Sequence, residues 1–270
     1  VVPHGIDPAI FKPPTPDARQ AARERRGWDD DTLVFMNVGM LSHNKGIKEI
    51  LQAYNQVWKA HRRECVGGGD GAAAGGECSS RRLKLVFKGP SHIPPHLDNR
   101  AVTHDGQGTQ WYFHGEPLLD DEVEEDAIEI IMNSSLSSDE LAELMACADV
   151  YVSPYKAEGF NLPVLESMAL GVPVIITKGG PTDDFTNAAF AKYVDSERVP
   201  GSMAAIADLG QDLMGYELQA DVAHLASQMM ASIHDPEWRR DAGRRAAEHA
   251  HSKLTWKQVT RDMLDGFEVF

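Results

Sequence analysis

Residues 151–177 read YVSPYKAEGFNLPVLESMALGVPVIIT. The apolar run ending at Pro154 has the composition of a buried strand, and Val172 to Thr177 is a second, β-branched run. Between them lie a loop, Glu158-Gly159-Phe160-Asn161-Leu162, and a short predicted helix that starts at Pro163 and stops near Gly171. Strand, helix and strand in this order make a βαβ unit, which implies a parallel sheet. Pro163 suits a first helical turn, where its missing N–H would have no partner in any case. The unbonded amides of that turn, with the positive end of the helix dipole, form an anion site, and Gly159 lets a ligand approach the backbone closely. Glu158 falls on the loop and Glu166 in the first turn, so the two carboxylates flank whatever anion the tip holds. A nucleotide sugar has this layout: ribose hydroxyls, then diphosphate, then sugar hydroxyls. The same residues also fit plainer roles. An acid in a first turn complements the helix dipole, and a loop glutamate is usually solvated.

The run EGFNLPVLE at 158–166, followed by SMALGVPVI, closely resembles the E-x7-E signature of retaining glycosyltransferases of the GT-B fold. These belong to family 4 (glycosyl transferases group 1), the large family that includes sucrose synthase, glycogen synthase and many bacterial mannosyl- and glucosyltransferases. Further segments carry the same resemblance. Val1-Val2-Pro3-His4-Gly5-Ile6-Asp7 is similar to the V-I-P-N-G-V-D that opens the family's second domain, with His4 in place of Asn. Gly39 to Gly46, GMLSHNKG, resembles the family's G-R-L-x-x-x-K-G turn and places Lys45 on its diphosphate-binding lysine. Met40 stands where the family carries an arginine, which removes one of two expected phosphate cations. Without the resemblance, Lys45 reads as a solvated lysine at a helix start.

Composition sets the outer bounds. The 270 residues suffice for one large domain or two small ones, and 42% hydrophobic with 25% charged residues is ordinary for a globular chain. A net charge of −15 repels nucleic acid and anionic membrane, so a phosphate-bearing ligand needs a local nest and a few cations. The three cysteines, Cys65, Cys78 and Cys147, are odd in number and lack metal spacing, which points to a reducing compartment without a disulfide framework. No run reaches transmembrane length and no signal peptide is visible, so a cytoplasmic location is expected. The chain starts at Val1 inside an apparent strand and is expected to be a fragment.

Along the chain, residues 1–30 read as a hinge-proximal segment, with a helix over Ala18 to Gly27. Residues 31–235 read as the ligand-binding domain and 236–270 as C-terminal helices. Strands are expected at Leu33 to Val38, Leu83 to Phe87, Ala127 to Met132 and Ala189 to Val194. The Gly-rich stretch 66–80 contains Gly69-x-Gly71-x-x-Ala74, but it neither follows a strand nor opens a helix and reads as a flexible insertion. His92, His96, His104 and His114 are irregularly spaced, so no zinc site is expected. Residues 120–126 are an acidic run with a solvated face. Ser137-Ser138-x-Glu140 has capping-box chemistry. Asp183 and Asp184, after Gly179-Gly180, fit either a family loop or a plain turn. From Ser202 onward the chain reads as helical, with breaks near Pro200 and Pro236 and a closing amphipathic helix over Trp256 to Phe267.

The resemblance implies an α/β fold: a Rossmann-like parallel sheet flanked by helices, the C-terminal half of a GT-B enzyme. It implies transfer of a sugar from a nucleotide diphosphate sugar to an acceptor hydroxyl, with retention and with no metal or other cofactor for diphosphate binding. Glu158 would bind donor-sugar hydroxyls and steady the electron-poor sugar centre. Glu166 would hold the ribose. Gly39, Lys45, Gly89, Asn133, Gly159, Phe160, Asn161 and Leu162 would complete the donor site, Asn133 beside the base. The acceptor would come on an N-terminal domain absent from this chain, so the chain alone would bind nucleotide and transfer little or no sugar. Two other functions suit the same architecture: a non-catalytic nucleotide-binding or assembly module, and a sugar phosphorylase or nucleotide-sugar epimerase.

Overall fold

A computed structural model describes residues 3–66, 81–89, 102–104, 111–113, 116–117, 119, 123–131, 135–201 and 215–267. Residues 67–80 of the expected Gly-rich insertion, His92, His96 and His114, residues 120–122 of the acidic run and Asn133 lie outside the described residues.

The first helix, α1, spans Pro16–Glu24 and is capped by Thr15. It is followed by β1 (Thr32–Val38), a 3-10 turn at His43–Lys45 and α2 (Ile47–Val66). Next come β2 (Arg82–Lys88), three short strands β3 (Val102–His104), β4 (Trp111–Phe113) and β5 (Glu116–Pro117), and β6 (Ile128–Ile131). Helix α3 (Ser138–Ala146) starts with the expected capping box between Ser137 and Glu140. The decisive βαβ unit is β7 (Val150–Ser153), α4 (Leu162–Ala169) and β8 (Val174–Thr177). Beyond it lie β9 (Ala191–Val194), β10 (Ser196–Pro200), β11 (Tyr216–Ala220), α5 (Val222–His234), α6 (Pro236–Lys253) and α7 (Trp256–Phe267).

Six strands form one parallel sheet in the order β6-β2-β1-β7-β8-β9. The chain winds outward from β1 through β2 to β6. It then returns and winds outward the other way through β7, β8 and β9. The switch point therefore lies between β1 and β7, and such a crevice at the carboxyl ends of the strands is where doubly wound folds bind ligands.

Alternation along the strands builds two cores. In β1, Val34, Met36 and Val38 face the layer of α3, α4 and α6, while Leu33 and Phe35 face α2 and α5. All seven residues of β1 are buried, as expected for a central parallel strand covered on both faces. Helix α2 buries Ile47, Ile50, Leu51, Tyr54, Val57, Trp58 and His61, spaced at three and four residues along one stripe.

Three expectations need correction. Strand β9 does not end the strands, because β10 and β11 pair as an antiparallel hairpin, with Tyr216–Ala220 extended where helix was expected. Their apolar residues are too few for either period to stand out, and pairing across a long gap decides the conformation. Glu166 lies in the second turn of α4, since the helix begins at Leu162. Cys65 is disulfide-bonded, against the expectation of free thiols, while Cys147 is free and buried.

Candidate donor-binding site

Two loops at the switch point are stitched together by backbone bonds. The Lys156 amide donates to the Asn44 carbonyl (2.8 Å), and Ala157 does so more weakly (3.4 Å). Gly46 adopts a left-handed conformation (φ 70°) against the Pro154 carbonyl, where a Cβ would collide. Beneath the stitch, the Lys156 ammonium is buried against Glu49 (3.0 Å), the Gln219 side-chain oxygen (2.9 Å) and Glu217 (3.8 Å). Glu217 also meets His43 at 3.2 Å. This network ties α2, β11 and both loops together. Its members lie at positions 43, 49, 156, 217 and 219, too far apart for sequence reasoning to group them.

The result is a cavity of about 560 Å³ lined by His4, Lys45, Glu158, Gly159, Phe160, Asn161, Leu162, Pro163, Pro181 and Asp184. Six of the expected donor-site residues thus share one wall: Lys45, Glu158, Gly159, Phe160, Asn161 and Leu162. The Lys45 ammonium forms an ion pair with the Glu158 carboxylate. The Lys45 stem lies against Gly39, where a Cβ would come within 3.2 Å of Cε. Gly39 therefore supports Lys45 from behind and does not line the cavity. Gly89 follows β2, donates its N–H to the Ile131 carbonyl (3.1 Å) and is likewise absent from the lining.

The tip of α4 is open. Asn161, its N-cap, has φ 72° and ψ 62°, and it is the one non-glycine residue with positive φ among those described. Its side-chain amide donates to Ser153 Oγ (2.9 Å), which helps to hold a conformation that costs an L-residue roughly 1–2 kcal/mol. With that side chain turned away, nothing caps the helix. Among the described residues, the amides of Gly159, Phe160, Asn161 and Leu162 have no acceptor. Phe160 has a structural role as well, since its ring stacks on Phe185 at 4.4 Å.

Glu166 lies behind the tip and does not line the cavity. It is partly buried and makes no hydrogen bond or ion pair among the described residues. Burial alone pushes its carboxyl up to about 7. Sequence reasoning missed the contributions of His4, Pro181 and Asp184 to the wall. The only signals were the His-for-Asn departure at position 4 and the glycine pair before Pro181. Gly180 packs under the Tyr155 ring so closely that a Cβ would strike it, and Tyr155 in turn bonds Thr182 (2.7 Å).

A larger cavity of about 690 Å³ lies at the amino edge of the sheet, between α6 and the Pro13-Pro14 segment. Its Arg19 is committed to the carbonyls of Ala146 and Ala148 and to Asp149, and its Arg239 to the carbonyls of Ser232 and Ile233. The smaller cavity is therefore the better candidate, because its polar groups are left unanswered at a switch point. No helix among the described residues is long and apolar enough to cross a membrane.

Comparison with known proteins agrees with this geometry. Residues 100–212 match the family model described as glycosyl transferases group 1. The chain is 25% identical over 269 residues to a D-inositol 3-phosphate glycosyltransferase of Stackebrandtia nassauensis, covering 99% of this chain and 48% of that protein. It superposes on Anabaena HepE in complex with UDP-glucose with a TM-score of 0.61 at 13% identity, covering 98% of this chain and 56% of that one. The C-terminal domain of LpcC, a group 1 family protein of Francisella tularensis, superposes with a TM-score of 0.58 at 16% identity, covering 93% of this chain and 100% of that one. The chain spans about half the length of the D-inositol 3-phosphate glycosyltransferase it matches from end to end. Residues 100–212 are thus similar to the group 1 glycosyltransferases, and the fold is that of one half of a GT-B protein.

Proposed function

We propose that this chain is the donor-binding half of a retaining glycosyltransferase that takes its sugar from a nucleotide diphosphate sugar. The observation that carries this reading is the open α4 tip, with four unanswered amides in one cavity beside Lys45 and Glu158 and with Glu166 unpaired behind them. The donor diphosphate sits against the amides, which stabilise charge as it develops on the leaving phosphate. Lys45 exchanges Glu158 for a phosphate oxygen, and the released carboxylate turns to the donor-sugar hydroxyls. Glu166 accepts hydrogen bonds from the ribose, which satisfies a carboxylate otherwise desolvated for nothing. The UDP-glucose bound by Anabaena HepE, a protein of like fold, supports a nucleotide sugar as the donor class. The acceptor and the rest of the reaction centre belong to a second domain.

Calorimetric titration with UDP, GDP and ADP tests the reading. At least one is expected to bind, and Lys45→Ala is expected to weaken that binding about 10- to 100-fold, the effect of losing a charge-assisted contact of about 1.5–3 kcal/mol. Binding that is absent, or indifferent to Lys45→Ala, defeats it. The ion pair between Lys45 and Glu158, with Met40 where a second cation would stand, gives a second reading some footing: a nucleotide-binding module without transfer. In the protein joined to its acceptor domain, a Glu158→Ala variant that transfers or hydrolyses sugar at the unaltered rate would favour that second reading.

A further inference from the structure

The donor cavity is short of positive charge. Among the described residues its one lysine is neutralised by Glu158, and Asp184 adds a further carboxylate. Leaving His4 aside, the wall has one more negative than positive group among the described residues, within a chain of net charge −15. The helix tip offers about half a positive charge. A diphosphate, with at least two negative charges, calls for more.

His4 faces this wall from a different part of the chain. Its segment is clamped onto the junction of α6 and α7. The Ile6 amide donates to the Leu254 carbonyl (2.8 Å), and the Trp256 amide donates to the Ile6 carbonyl (3.2 Å). Gly5 lies so close to the Trp256 backbone that a Cβ there would collide with it. The imidazole is then held edge-on between Phe160 (5.0 Å, 63°) and Trp256 (6.0 Å, 82°), and Phe160 is fixed by Phe185. Neither ring nitrogen has a hydrogen-bond partner among the described residues. The side chain is placed and left unused beside the open amides.

We propose that His4, as the imidazolium, is a phosphate-binding residue of the donor site and supplies the cation that Met40 does not. The proposal rests on the nucleotide-sugar reading and adds a residue to it. It also gives donor binding a pH dependence, because imidazole is the side chain that changes charge nearest neutrality. Among the described residues the charged groups facing His4 are Lys45 from the turn after β1, Glu158 from the loop before α4 and Asp184 from the turn after β8, while α7 presents the Trp256 ring. Glu166 titrates behind the tip with the opposite effect on binding, and it does so equally in wild type and in His4 variants.

The test is UDP titration of wild type, His4→Gln and His4→Arg at pH about 6 and about 8, with thermal unfolding to show that each variant folds. GDP or ADP replaces UDP as the probe if it binds more tightly. The ratio of wild-type to His4→Gln affinity is expected to be about 10 at the lower pH and to fall to about 1–2 at the higher, and His4→Arg is expected to hold the higher affinity at both. Equal affinities for wild type and His4→Gln at both pH values overturn the proposal, as does a loss of the same size at both, which would mark a packing role. A Lys45→Ala variant that loses affinity while His4→Gln does not would leave the nucleotide reading standing and His4 excluded. If no nucleotide binds wild type at either pH, both fall. Should His4→Gln fail to fold, His4→Arg decides alone: an affinity that drops with pH as steeply as wild type overturns the proposal.

Discussion

Two cavities sit at opposite edges of one sheet, and the larger is not the site. At the amino edge, Arg19 and Arg239 cap helix carbonyls, and beside that cavity Arg23, 3% exposed, bonds the carbonyls of Cys147, Asp29 and Thr32 together with Asp149. These cations complete the fold. At the carboxyl edge the balance is reversed. Four amides, one carboxylate and one imidazole are held in place by the fold and have no partner within it among the described residues. Unanswered groups on a rigid frame point to a ligand more reliably than volume does, because their positions are already fixed and binding need not order them.

The comparison can be broken at several points. Arg23→Met removes bonds to the carbonyls of Cys147, Asp29 and Thr32 and leaves Asp149 with Arg19 and the Val34 amide alone, so it is expected to cost about 2–4 kcal/mol of stability, read by urea unfolding. UDP affinity of the folded protein should not change. An unfolding cost below about 1 kcal/mol would show that the amino-edge arginines are not structural.

Glu166 bears on the same contrast through pH. Its carboxyl is raised from 4.5 to about 7 by burial, so the folded state binds the proton more tightly than the unfolded state. Stability is therefore fully present below about pH 4.5 and falls as pH rises through about 7, by up to roughly 3 kcal/mol. Glu166→Gln should lack this decline and be the more stable protein at pH about 8 in the absence of nucleotide. Parallel pH profiles for the two proteins would mean that Glu166 has a partner and is not waiting for one.

The smallest expected effect is at the tip itself. Asn161→Ala loses the bond to Ser153 and keeps a left-handed backbone without help, costing about 1–2 kcal/mol in thermal unfolding. Asn161→Gly should recover most of this. If alanine proves neutral, the conformation at Asn161 is not what keeps the tip open.

Much of the fold was legible from 27 residues, because a βαβ unit with a proline-started helix writes its periods and caps locally. Lys45 was legible only through the resemblance of its turn to a family motif, and the run from Glu158 to Leu162 through that resemblance beside the reading of a helix tip. The hairpin of β10 and β11 was not, since its partners pair across residues 201–215. The Glu166 position slipped by a turn because the helix begins at Leu162, one residue before the proline that marks it.

By itself the sequence determined the parallel α/β class, the short helix and the residues of its approach loop, since these follow from hydrophobic period, caps and proline chemistry within a few turns of chain. Only the tertiary structure decided which groups stay unpaired. Whether an amide, Glu166 or His4 has a partner depends on side chains from residue 4 to residue 256 meeting in space, and local propensity carries no information about that.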